Sequence, residues 1–154
     1  MRPRPVIHGR DHSHGGPDPV LHGWDSVGTG GGGVPGERVL LAVFDGAGVA
    51  LVAGMQGDVS IPFASTVTGW VLLADQAGSV VIDVWKDTFS SYPPTVADKI
   101  TATSPPTLSS ADHASSSSLT GWTTAISAGD TLRFNVTSAA TVKRATLALT
   151  LEAT

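Results

Sequence analysis

Residues 131–152, TLRFNVTSAATVKRATLALTLE, alternate apolar and polar side chains along most of their length. Leu132, Phe134 and Val136 share one side of an extended chain, and the residues between them are polar. The same spacing recurs in a second group, which consists of Leu147, Leu149 and Leu151. A period of two residues is typical of a β-strand with one buried face. The stretch therefore predicts two strands and six core side chains.

The same period extends back to Glu37 and predicts an all-β domain. Gly, Asp and Pro turns separate eight predicted strands, at 38–44, 47–54, 57–64, 68–75, 78–86, 119–126, 130–137 and 141–152. The long connection at 87–119 is expected to contain a short helical turn near 95–100 and an irregular strand near 107–111. The 154 residues suffice for one core, and with two Glu and three Lys they lack the residues that cover exposed helices. We predict an antiparallel β-sandwich at 37–154.

Residues 1–36 differ from the rest of the chain in composition. They hold 10 of the 18 glycines, five of the 10 prolines and four of the five histidines. Such a segment buries too little apolar surface to fold alone, so an extended arm with a Gly-rich linker is predicted. Its apolar residues are the predicted anchors to a larger particle, namely Val6, Ile7, Val20, Leu21 and Trp24.

Charge and motif content argue against several classes of function. The net charge of −4, without a basic run, gives no electrostatic basis for binding nucleic acid or an anionic membrane. No apolar stretch reaches the roughly 20 residues of a membrane-spanning helix, and no secretory signal is predicted. A nucleophile elbow, a phosphate-binding loop and a zinc-protease motif are all missing, and there is no cysteine. We predict neither an enzyme nor a cofactor.

His12 and His14 are the candidate metal ligands. In an extended segment the two imidazoles lie on one side, and three copies meeting on an axis would supply an octahedral set of nitrogens. One chain does not complete such a site, so a polar arm without a metal is the prediction.

Carboxylates and aromatic residues supply the candidate sugar contacts. Asp83, Trp85 and Asp87 alternate along one predicted strand and therefore share a face. A tryptophan between carboxylates suits stacking on a sugar ring, although burial at a subunit interface or beneath the long connection is the alternative. A hydrolytic pair is not favoured, because nothing in the pattern would raise a carboxyl pKa. The predicted glycan contacts are Tyr92, Trp85, Asp87, Asp112 and His113.

Two groups of motifs resemble structural proteins of tailed-bacteriophage virions. The arm segment 8–20, HGRDHSHGGPDPV, is similar to His/Gly/Gly/Asp-Pro segments of tail-fibre and minor tail proteins, particularly those of phages of actinobacteria. Motifs at 69–87, 92–98, 119–124 and 128–130 resemble a virion domain that recurs at the ends of fibres and spikes.

The resemblance implies a jelly roll of the tumour-necrosis-factor type, assembled as a homotrimer and without catalytic residues. It implies a protein made in the bacterial host cytoplasm and carried on the virion as a short tail-tip or fibre component. The arm would bind other virion proteins, and the domain would contact host-surface polysaccharide. A capsid decoration or head-fibre protein and a freestanding carbohydrate-binding module are the alternatives.

Overall fold

The structure, a computed structural model, describes residues 36–154. The predicted arm anchors and His12 and His14 lie outside the described residues. Antiparallel strands make up most of this part of the chain, which confirms the all-β prediction. The strands are β1 (Glu37–Asp45), β2 (Gln56–Ser60), β3 (Ser65–Thr88), β4 (Thr107–Ser116), β5 (Ala125–Ile126), β6 (Asp130–Ala140) and β7 (Arg144–Ala153). Two short 3-10 helices span Phe89–Ser91 and Val96–Asp98, and neither they nor any other helix at 36–154 could span a membrane.

Strand β3 organises the sheet because it changes its pairing partner half-way along. Its first half, 65–74, pairs with β7, and its second half, 79–88, pairs with β6. Strand β1 pairs with β7 and β2 pairs with β6, so each half acquires an outer strand. On the other edge of β3, β4 pairs with both halves. The result is one antiparallel sheet that curls around the middle of β3.

The curl occurs at Gly78, where the pairing of β3 with β4 shifts register. A Cβ atom at Gly78 would lie 2.7 Å from the carbonyl oxygen of Ala140 and 2.7 Å from Cγ2 of Val142, and it would overlap Oγ1 of Thr141. Strand β3 therefore passes the turn between β6 and β7 so closely that only glycine fits.

The curl also places inward-facing side chains of both halves of β3 in one hydrophobic core. Leu72 in the first half and Val84 in the second belong to the same cluster, together with the inner residues of β6 and β7. All six core residues predicted for the last two strands are at most 2% exposed, namely Leu132, Phe134, Val136, Leu147, Leu149 and Leu151. The predicted inward faces of these strands are confirmed.

Several predicted strands are wrong. Residues 47–54 form turns, because Ala47, Gly48 and Gly54 have positive φ angles that interrupt an extended chain. The predicted strands 68–75 and 78–86 are one continuous strand, β3. Of the predicted strand 119–126, only the two residues of β5 are extended. The structure therefore has seven strands at 36–154 where the sequence predicts eight.

The long connection contains more structure than the sequence predicts. The helical turn near 95–100 is confirmed as the 3-10 helix at Val96–Asp98, where the Thr95 hydroxyl accepts a hydrogen bond from the amide of Ala97. The irregular strand expected near 107–111 is confirmed as the first half of the ten-residue strand β4, whose pairing with β3 shifts register there. Pairing with β3 extends β4 well beyond the short segment that its own sequence indicates.

Candidate functional site

The second half of β3, with β6 and β2, presents a polar outer face. Residues directly opposite one another on antiparallel strands share a face of the sheet. Two rows cross these strands, one formed by Trp85, Arg133 and Asp58 and the other by Asp87, Thr131 and Ser60. The residues that alternate with them along β6, Leu132 and Phe134, are buried in the core. Alternation thus collects polar side chains from three strands on one surface.

The chain that follows β3 folds over this outer face and forms a cleft. Phe89 begins the first 3-10 helix, and Tyr92 follows that helix directly. The cleft has a volume of about 330 Å³, and we call it the aromatic cleft; it is lined by Asp58, Val59, Ser60, Phe89, Tyr92 and Thr131. Phe89 is 73% exposed and Tyr92 is 50% exposed, so both rings are accessible to a ligand.

A network of charged hydrogen bonds fixes one wall of the aromatic cleft. Arg133 donates from Nε to Oδ1 of Asp58 and from Nη2 to Oδ2, each at 2.7 Å. The Tyr92 hydroxyl donates to Oδ2 of Asp58 at 2.8 Å, and the Arg133 guanidinium lies 5.7 Å from the centre of the Tyr92 ring. Bidentate pairing of this kind holds both partners in a defined geometry. The network therefore positions the Tyr92 ring relative to β2 and β6 before a ligand arrives.

The same network keeps Asp58 ionised. Hydrogen bonding to Arg133 lowers the pKa of the Asp58 carboxyl below its ordinary value, partial burial opposes this lowering, and the Tyr92 hydroxyl adds to it. The carboxylate in turn raises the pKa of Arg133. A general acid in glycoside hydrolysis needs a raised carboxyl pKa. Asp58 is therefore suited to accept hydrogen bonds rather than to donate a proton.

Thr131 contributes a buried hydroxyl to the aromatic cleft. The residue is 3% exposed, and its Oγ1 atom has no hydrogen-bond partner among residues 36–154. Leaving a buried hydroxyl unpaired costs free energy. The Oγ1 atom is almost completely inaccessible, so a ligand in the cleft does not contact it.

Three of the five predicted glycan contacts lie on the polar outer face. Tyr92 lines the aromatic cleft, and Asp87 lies opposite Thr131, with its Oδ1 accepting a hydrogen bond from the amide of Thr88. Trp85 lies opposite Arg133 but does not line the cleft, and its buried Nε1 has no partner in the described part of the chain. Of these three residues, Tyr92 lines the aromatic cleft, whereas Asp87 and Trp85 do not.

Asp83, the third residue of the predicted alternating set, has a structural role. It is 4% exposed, lies 2.9 Å from Nζ of Lys99, and accepts a hydrogen bond from the Thr101 hydroxyl. These contacts attach the segment around Lys99 to the edge of β3, beside Trp85. Asp83 is consequently occupied by the protein's own groups.

The other two predicted contacts, Asp112 and His113, lie elsewhere. Both are exposed on β4, where His113 pairs with Leu73 in the first half of β3. Oδ1 of Asp112 lies 2.6 Å from Nδ1 of His113, so the two side chains interact with each other. The structure does not bring them to the aromatic cleft.

Sequence reasoning missed most of the cleft. Phe89 could have been identified from the sequence, since it is an aromatic residue just beyond the predicted strand 78–86 and three positions before Tyr92. Asp58 and Arg133 could not, because they are 75 residues apart and meet only through the pairing of β2 with β6.

Comparisons with known proteins assign no family and no function to this chain. No family model matches the chain, and no curated protein or solved structure matches it either.

Proposed function

We propose that residues 37–154 adopt a jelly roll, a refinement that the strand order supports. The first half of β3 lies between β7 and the end of β4, with β1 beyond β7. Its second half lies between β6 and the start of β4, with β2 beyond β6. If β3 and β4 are each counted as two strands and the two-residue β5 is left aside, eight strands fall into two groups of four. An eight-stranded arrangement in two sheets, with long strands that serve both, is the jelly-roll pattern found in viral capsid and lectin domains.

We further propose that the chain is a non-enzymatic structural protein of a tailed-phage virion. In this proposal it is made in the bacterial cytoplasm and forms part of a short tail tip or fibre. The segment 1–36 attaches it to other virion proteins, and the domain binds host-surface polysaccharide at the aromatic cleft. The sequence resemblance supports the virion assignment. The observation that carries the polysaccharide assignment is the pair of exposed rings, Phe89 and Tyr92, beside ionised Asp58.

The chemistry of the aromatic cleft suits a neutral sugar. Aromatic rings pack against the apolar C–H face of a pyranose, while carboxylates and short hydroxyl side chains bond to its hydroxyl groups. Phe89 and Tyr92 supply the rings and most of the apolar lining, and Asp58 and Ser60 are the polar residues beside them. The ion pair of Arg133 with Asp58 leaves no net charge on this wall of the cleft. A sugar without charged groups is therefore sufficient as the ligand.

Binding to host cells tests this function. We expect the purified full chain to bind host envelopes or a polysaccharide array, and Phe89→Ala to weaken that binding at least about tenfold, which corresponds to about 1.4 kcal/mol. Phe89 is largely exposed, so the variant should keep its fold. Val96→Ala is the matched control, since Val96 is also exposed and follows in the same connection but does not line the cleft. If the folded wild-type chain binds no host envelope, polysaccharide recognition is wrong and the capsid-decoration alternative gains support.

The position of the protein on the particle separates the remaining alternatives. We expect an antibody against an epitope inserted between Ser117 and Ser118, which are both exposed, to label the tail tip in immunogold electron microscopy. Label on the head would indicate a decoration or head-fibre protein. Unlabelled virions, together with retained sugar binding by the purified chain, would indicate a freestanding carbohydrate-binding module and contradict the virion assignment.

A further inference from the structure

The outer surface of the other half of the sheet is apolar and exposed. Nine residues on three neighbouring strands share this surface, which we call the uncharged face; they are Val39, Leu41 and Val43 of β1, Thr146, Ala148 and Thr150 of β7, and Gly69, Val71 and Leu73 of β3. The three β1 residues are about 60% exposed, and Val71 and Leu73 are 38% and 48% exposed. A surface of contiguous exposed apolar residues is typical of an interaction site.

The sequence of β1 shows the same property in another way. The face of β1 opposite the uncharged face contributes Ala42 and Phe44 to the core. Val39 to Phe44 is consequently an unbroken apolar run. A strand with one solvated face alternates apolar and polar residues, whereas a strand covered on both faces is apolar throughout. The pattern of β1 therefore indicates that something covers the uncharged face.

Charged residues occur only at the two ends of this face. Glu37 lies opposite Glu152 at one end, and Asp45 lies opposite Arg144 at the other. Along the β4 side, Ser115 and His113 border the face. An apolar centre with a polar rim is the organisation of a protein interface. The centre offers no charge for an oppositely charged partner to recognise.

The sizes of the side chains make the face complementary to itself. The β1 row is a ridge of Val and Leu side chains, and the neighbouring β7 row contains only Thr and Ala. The third row, on β3, again has larger side chains, Val71 and Leu73. A ridge of this kind can enter the groove above β7 of a second copy, because side chains interdigitate between packed sheets.

We propose that another copy of this chain covers the uncharged face. Three strands about 4.8 Å apart and five residues rising about 3.3 Å each give an area of about 250 Å². A stable interface buries roughly 800 Å² on each partner. The uncharged face would thus form its apolar centre, and the rim around it would supply the remainder. The contact borders the aromatic cleft at the edge of the sheet, where Leu41 and Val43 share a cavity with Asp58 and Val59.

The mass of the full chain in solution tests the proposal. We expect light scattering at micromolar concentration to give two or three times the 15.7 kDa of one chain, with three required for the predicted homotrimer. Val43→Lys should lower the mass to that of one chain, because it places a charge within the apolar contact. Val96→Lys is the matched control, since Val96 is similarly exposed but lies in the connection after β3, and its mass should stay unchanged. A monomeric wild type, or an oligomer that Val43→Lys leaves intact, would overturn the proposal.

Cross-linking provides a readout that does not require the contact to be broken. The chain has no cysteine, so Leu41→Cys introduces a single thiol on the uncharged face. We expect a short bis-maleimide to join two copies of Leu41→Cys much more efficiently than two copies of Val96→Cys. Equal yields would contradict the proposal. Sugar binding and mass are measured separately, so either proposal can fail while the other stands.

Discussion

Replacing Phe134 by Ala should lower the free energy of unfolding by about 3–5 kcal/mol, the range for a buried Phe truncated to Ala. Phe134 is 2% exposed, and its neighbours across the sheet are Gly57 on β2 and Val84 on β3. Truncation removes apolar contacts and leaves a cavity where the two halves of the curled sheet meet. Denaturant unfolding monitored by circular dichroism measures the change.

Phe89→Ala is the matched control for this experiment. It makes the same substitution at a ring that is largely exposed, and a surface change of this kind usually stays within about 0.5 kcal/mol. If Phe134→Ala unfolds at the same denaturant concentration as the wild type, the inward register of β6 is wrong. If the two variants are equally destabilised, Phe89 has a structural role that its exposure does not indicate.

Replacing Gly78 by Ala should lower the free energy of unfolding by about 1–3 kcal/mol, because overpacking forces neighbouring groups to shift. The added methyl group would meet the backbone oxygen of Ala140 at 2.7 Å, and a backbone oxygen cannot rotate away as a side chain can. The turn between β6 and β7 would have to move, and the curl of β3 depends on that turn. Thermal unfolding of the purified variant measures the effect.

Gly57→Ala is the corresponding control. A Cβ at Gly57 has no heavy atom within 4 Å, so the methyl group enters free space beside Phe134. Removing backbone freedom from the unfolded chain stabilises a protein by about 0.4–1 kcal/mol where the native conformation permits it. We expect Gly57→Ala to be neutral or slightly stabilising. A Gly78→Ala variant as stable as Gly57→Ala would contradict the close approach at the curl.

Local alternation explains which strands the sequence predicts well. Strands β1, β6 and β7 were predicted to within a few residues, because each alternates or is apolar over its whole length. Residues 47–54 have similar composition but form turns. There Leu51 is buried alone, and its amide donates to the carbonyl oxygen of Val142. A single buried apolar residue in a loop looks in the sequence like part of a strand.

Strand β4 shows the opposite error. Its sequence is rich in Ser and contains Asp112 and His113, a composition typical of a loop. Hydrogen bonds to β3 extend it over ten residues, although it buries few side chains apart from Leu108. The sequence predicts only the first half of this strand, near 107–111, because an edge strand that buries few side chains has little apolar alternation.

The aromatic cleft was predicted only where it depends on local sequence. Tyr92 was identified because it is an aromatic residue in a long connection, whereas Asp87, identified because it alternates with Trp85, does not line the cleft. Asp58 is 34 residues from Tyr92 and 75 from Arg133, yet these side chains form one hydrogen-bonded network. No spacing in the sequence indicates a contact that arises from strand pairing.

The sequence by itself determined the all-β class and the inward residues of the last two strands, because a two-residue period is a local property of an extended chain. The tertiary structure decided which strands are neighbours, how β3 is shared between two partners, and where Asp58, Arg133 and Tyr92 meet. The two-residue alternation assigns each side chain to a face of its strand, but it does not determine which other strand lies next to that strand. That choice depends on how the whole core packs, and β3 changes partner beside the close approach at Gly78.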